Sequence, residues 1–141
     1  MSKNVKLECY SSEKLGKKGF LIEKDGRVVH SDVSKMSDDY KRGIFLSLYD
    51  GILVARSMVD HDSMLTIVLQ NRNVSDWVLN RDEYKCSKYS DISDKVFDLI
   101  DELDCKYRVV SMKSYGAQRM VKTEPIRGLE TSGIESVLEF E

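Results

Sequence analysis

Three residue groupings in this chain could do chemistry. The first is Asp60-His61-Asp62, whose carboxylates and imidazole could ligate a divalent metal. Because this triplet directly precedes an apolar run, a solvated turn is the simpler reading. The second is the cysteines, Cys9, Cys86 and Cys105. Their count is odd and no Cys-x-x-Cys occurs, which fits a reduced, cytoplasmic compartment. Cys9 sits in an apolar strand with no histidine near it in sequence, so it reads as core rather than as a catalytic thiol. The third is the stretch LTIVLQNRNVSDWVL, Leu65 to Leu79. It reads as a buried strand, a polar turn from Gln70 to Asn73, and a short helical turn carrying Trp77. Such a strand tip is a natural place for a metal-binding aspartate, and here it offers the uncharged amides Gln70 and Asn71.

Those residues need a scaffold. The chain has 141 residues, 41% hydrophobic and 33% charged, which predicts a single globular domain over residues 1–141. The formal net charge of −2 argues against nonspecific nucleic-acid binding driven by bulk charge. No apolar run reaches the roughly 18 residues of a membrane span, and the first ten residues contain no apolar signal core.

Alternation in VKLECYS puts Val5, Leu7 and Cys9 on one strand face and Lys6, Glu8 and Tyr10 on the other. A loop, SSEKLGKKG, leads to FLIEKDGRVVHSDVS, where Asp25-Gly26 predicts a tight hairpin. In SDDYKRGIFLSLYDGILVARSMV, Ser37 is the expected N-cap. Ile44, Leu48, Ile52, Ala55 and Val59 form an apolar stripe there, with Ser47 and Gly51 beside it. Glycine inside a helix costs about 1 kcal/mol relative to alanine, so Gly51 implies close packing on a sheet. The second helix is SDISDKVFDLIDELDC, with DEYKCSKYSD before it as a loop. A fifth strand, KYRVVSM, follows, and LETSGIESVLEFE is compatible with a short C-terminal helix. The order β-β-β-α-β-α-β predicts an α/β (α+β) fold built on a five-stranded mixed sheet.

This order of elements, with VKLECYSS, the Asp-Gly hairpin, the helix of Ser47 and Gly51, LTIVLQNRNV and VVSMKSYGAQ, resembles the ribonuclease H family. The resemblance covers nearly the whole chain. It implies two metal ions about 4 Å apart, held by acids, that activate water against a phosphodiester. On this chain the strand-one acid falls at Tyr10, the helix acid at Ile44, the strand-four acid at Gln70 and the mobile histidine at Tyr115. Glu135 is the one acid that matches. The resemblance thus implies a retained fold without its metal site: no catalytic residues, no metal and no cofactor. Tyr10, Gln70 and Tyr115 would form a neutral polar and aromatic surface. A relocated cluster of Glu8, Asp50 and Glu135, with Asp76 nearby, is the alternative. It would make the chain a divergent nuclease that binds Mg²⁺ and cleaves RNA in a hybrid.

In the resembled fold the basic loops border the substrate groove. Lys14, Lys17 and Lys18 lie in the first loop, and Arg72 and Asn71 at the strand-four tip. Lys113, Arg119, Lys122 and Arg127 oppose only Glu124. With Tyr10 and Tyr115 to stack, these would make an RNA or hybrid-binding face, although ordinary solubilising charge explains them as well. The tail beyond Arg127 is acidic, with Glu130, Glu135, Glu139 and Glu141. The expected role is an inactive binding module, accessory or regulatory, a virus-encoded factor among the readings. A protein partner is slightly favoured over RNA or an RNA/DNA hybrid. Trp77 is either core or a partner contact. Oligomeric state is open, and an exposed sheet edge would favour self-association.

Overall fold

The computed structural model describes residues 3–84 and 87–112. Three strands come first, β1 (Lys3–Ser12), β2 (Lys17–Lys24) and β3 (Arg27–Lys35), then α1 (Tyr40–Ala55) and β4 (Ser63–Leu69). They are followed by α2 (Arg72–Leu79), α3 (Ser90–Asp101) and β5 (Lys106–Ser111). The strands form one mixed sheet in the order β3-β2-β1-β4-β5. The two hairpins are antiparallel, while β1–β4 and β4–β5 are parallel.

Local chemistry explains most element boundaries. Asp25 and Gly26 both have positive φ, 52° and 84°, as a two-residue hairpin turn requires. Lys17 and Lys18, expected in the first loop, instead open β2 and pair with Ser12 and Ser11. Gly16, at φ 63°, closes the turn early enough for this. Helix α1 begins later than expected, because Asp39 rather than Ser37 accepts the Arg42 N–H at 2.9 Å. It ends at Ala55 and tightens into a 3-10 turn at Arg56–Met58. The helical turn expected at Trp77 is a full helix, α2, capped by Asn71. The segment expected as a short helix at the C-terminus lies outside the described residues.

The alternation read from β1 holds. Val5, Leu7 and Cys9 join Ile44, Leu48, Ile52, Val74 and Val96 in the main core under the helices. Tyr10, Leu21, Val68 and Met112 form a second cluster on the opposite face. Helix α1 lies very close to β1. A Cβ on Gly51 would stand 2.6 Å from Leu7 Cδ1, which explains the glycine that propensity alone would reject.

The three helices meet at an aromatic knot. Phe45 is fully buried at its centre. Trp77 stacks on Phe45, with centroids 6.4 Å apart and planes 5° apart, and Tyr84 and Tyr89 tilt against both rings. Trp77 is therefore a half-buried packing residue with Lys41 Nζ 5.2 Å above its ring. Tyr84 and Tyr89, expected in a loop, are packing residues too: Tyr84 follows one 3-10 turn and Tyr89 ends another, just before α3. Replacing Phe45 with Ala should cost about 3–5 kcal/mol, because it removes a ring that fills the space between three helices. Urea unfolding followed by Trp77 fluorescence measures this directly.

Candidate functional site

Chain direction makes the carboxyl ends of β1 and β4 neighbours, since the strands are parallel and Cys9 pairs with Leu69. Clefts at such strand ends are where open α/β sheets commonly bind ligands. Gln70 directly follows β4 and is fully buried, and its Oε1 accepts the Ser11 N–H at 2.9 Å. Asn71 turns the other way: its side chain accepts the Val74 N–H at 3.1 Å and caps α2. Both amides expected to face a ligand instead satisfy backbone donors that would otherwise be buried unpaired.

Tyr10 was expected on the same surface, but only 2% of it is exposed. Strand alternation turns it away from the helices, onto Leu21, Val68 and Met112. Its hydroxyl donates to Glu8 Oε2 at 2.7 Å. Burial, reinforced by the Glu8 charge, pushes that hydroxyl's pKa well up. Tyr10 therefore offers no face for stacking. Glu8, a member of the alternative acid cluster, is fully buried, with Oε1 2.6 Å from Lys6 Nζ. The same ammonium also pairs with Glu23. Lys6 and Glu23 of this network also line an open pocket of about 270 Å³, with Asn4, Thr66 and Arg108.

On the helix side, the residue of α1 that meets the β1 tip is Gly43, not Ile44. Ile44 is rotated into the core and fully buried. A Cβ on Gly43 would overlap the Ser11 hydroxyl. Ser47, one turn on, donates from Oγ to the Tyr10 carbonyl at 2.8 Å. Gly43, Ser47 and Gly51 thus form a small-residue seam, spaced by four, along which α1 rides on β1. The spacing of Ser47 and Gly51 was readable from sequence, and extending it one turn back finds Gly43. Nothing in the sequence marks Ser11 as the residue that fills the tip.

The cations fare unequally. Lys14 and Arg72 are exposed and Lys17 is half-buried. Lys18 is tied to Asp50 at 2.5 Å and donates to Ser34 Oγ at 2.9 Å. Lys113, Tyr115, Arg119 and Glu135 lie outside the described residues. Of the expected binding set, Lys14, Lys17 and Arg72 remain accessible cations, while Tyr10 and Gln70 are interior. Asp60, His61 and Asp62 do approach one another, with ligand atoms within 4.8 Å. Asp60, however, accepts from Lys3 Nζ at 2.8 Å, from the Asp62 N–H and from Ser63 Oγ. The Lys3 hydrogen bond, foremost among these, holds its carboxyl at about 2. The triplet lies in the turn before β4, as expected, with Asp60 engaged by these neighbours. Cys9 is a buried core thiol whose pKa burial drives well up.

No family model matches the sequence, and no curated protein does. Solved structures do. The N-terminal RNase H domain of a Mycobacterium tuberculosis protein aligns with TM-score 0.63 at 9% identity, covering 99% of this chain and 97% of that one. RNase H1 from the archaeon Halobacterium salinarum aligns with TM-score 0.61 at 8% identity, covering 79% of this chain and 85% of that one. LC11-RNase H1, solved in complex with an RNA/DNA hybrid, aligns with TM-score 0.60 at 9% identity, covering 82% and 89%. The fold is ribonuclease H-like.

Within that fold the space between the β1 tip, the β4 tip and α1 is taken up by Ser11, Gln70 and the bare backbone of Gly43. Replacing Gly43 with Ala should therefore destabilise the protein by about 1–3 kcal/mol, as overpacking does, despite alanine's better helix propensity. Adding Ser11→Gly to that variant should recover most of the loss, and thermal melts of the single and double variants check both.

Proposed function

We propose that this chain is a catalytically inactive ribonuclease H-like module that binds nucleic acid without cutting it. One observation carries this reading: the Ser11–Gln70 hydrogen bond, with Gly43 pressed against Ser11, closes the site where the resemblance would hold two metals. Two adjacent divalent ions need several carboxylate ligands on one small volume. Gln70 is neutral, and Glu8 is paired with Lys6 on the far side of the sheet. Asp50 lies on the helix side, held by Lys18. The sheet separates Glu8 from Asp50, which weighs against the relocated cluster. The similarity of LC11-RNase H1 makes an RNA/DNA hybrid the first ligand to test, with Lys14, Lys17 and Arg72 as phosphate contacts. A module that holds a nucleic acid without cleaving it suits an accessory or regulatory role, a virus-encoded factor included. The net charge of −2 predicts modest, salt-sensitive affinity.

Calorimetric titration with Mg²⁺ and Mn²⁺, together with hybrid cleavage and fluorescence anisotropy on the same sample, tests this. The expected result is no metal binding, no cleavage, and hybrid binding that falls with salt and weakens about tenfold in Lys14→Glu/Arg72→Glu. Metal-dependent cleavage abolished by Glu8→Gln would establish the nuclease reading instead. Absence of hybrid binding at low salt would move the ligand to protein.

A further inference from the structure

Strand β3 is the outer strand of the sheet on the β2 side. Among the described residues no backbone hydrogen bond reaches its outward edge. Exposed edges are usually blunted by proline, lysine or a bulge. Strand β3 contains no proline. Its bulge is confined to one end, where Ile22 pairs with His30 and Glu23 with Val28, leaving Val29 as the extra residue. From His30 to Lys35 the pairing with β2 is regular. Val28 and Val29 are 45% and 47% exposed, two of the four large apolar side chains so exposed among the described residues.

We propose that β3 pairs antiparallel with β3 of a second copy of this chain, about a two-fold axis at Ser31. Side chains directly opposite one another across antiparallel strands share a face. A symmetric pairing must therefore place its axis through a residue. Ser31 is the midpoint of Arg27–Lys35, so an axis there pairs the whole strand. It also sets His30 opposite Asp32 of the second copy, twice, and Val29 opposite Val33, twice. An axis at Asp32 would oppose two carboxylates, and an axis at His30 two imidazoles. His30 is already fixed for this role: its ring lies on Phe20, with centroids 5.5 Å apart and planes 9° apart. Asp32 pairs with Phe20 across the sheet and is exposed on the same face. The like charges of Arg27 and Lys35 meet only at the ends, where solvent screens them and where the bulge turns the strand. The interface is isologous, so each side-chain contact occurs twice.

Sedimentation velocity and light scattering over a dilution series read the outcome. The expected result is a reversible dimer of twice the chain mass. His30→Asp and Asp32→Lys should each weaken it about tenfold, since each change acts at two symmetric positions. The double variant His30→Asp/Asp32→Lys should restore the dimer to within about threefold. Far-UV circular dichroism confirms that each variant is folded. If either single variant is not, Val29→Lys, at the bulge and outside the β2 ladder, takes its place and should weaken the dimer likewise. A monomer at every concentration overturns the proposal. So does a dimer that both single changes leave intact, or one that the exchanged pair does not restore.

Discussion

The closeness of α1 to β1 is the constraint on which the rest of the molecule depends. Three small residues, Gly43, Ser47 and Gly51, let the helix axis approach the strand until side chains of β1 touch helix backbone. That approach decides where Leu7 packs, why the Tyr10 carbonyl is satisfied by Ser47, and why nothing larger than hydrogen fits at position 43. It also fixes the height of Phe45, and with it the ring stack that brings α2 and α3 onto the same core. Apolar burial of this kind is the main favourable term in folding, but its geometry here is set by the absence of side chains.

The two faces of the sheet solve different problems. The helix face is apolar and crowded. The other face carries Lys6 between Glu8 and Glu23, with the Tyr10 hydroxyl on Glu8. Buried ions add little net stability, because desolvation offsets much of their attraction. Lys6 is the one cation between two carboxylates, so removing it would leave two buried acids without their shared partner.

Much of the architecture was legible in the sequence, and much of the site was not. Alternation in VKLECYS assigned both faces of β1, and Asp25-Gly26 announced its hairpin, because both signals are local. The length of α1 and the identity of its cap were misplaced by a few residues, since Ser37 and Asp39 are both competent caps and only tertiary position chooses between them. Gln70 and Tyr10 were correctly placed at their strand ends but wrongly turned outward. Polar residues at a strand tip look like ligand contacts in a sequence; whether a backbone N–H such as that of Ser11 stands within reach is a property of pairing across 59 positions. Ile44 failed for a related reason. One residue along a helix is a rotation of about 100°, enough to exchange the tip for the core.

The contact between Ser11 and Gly43 has an evolutionary corollary. To install a carboxylate on α1 at that point, a lineage would first have to empty position 11. A Glu at position 70 would keep an acceptor for the Ser11 N–H but would bury a charge where a neutral amide now stands. Position 11 touches both 43 and 70, so the effects of changing them do not add. Such coupling makes the tip a unit whose members substitution must exchange together rather than singly.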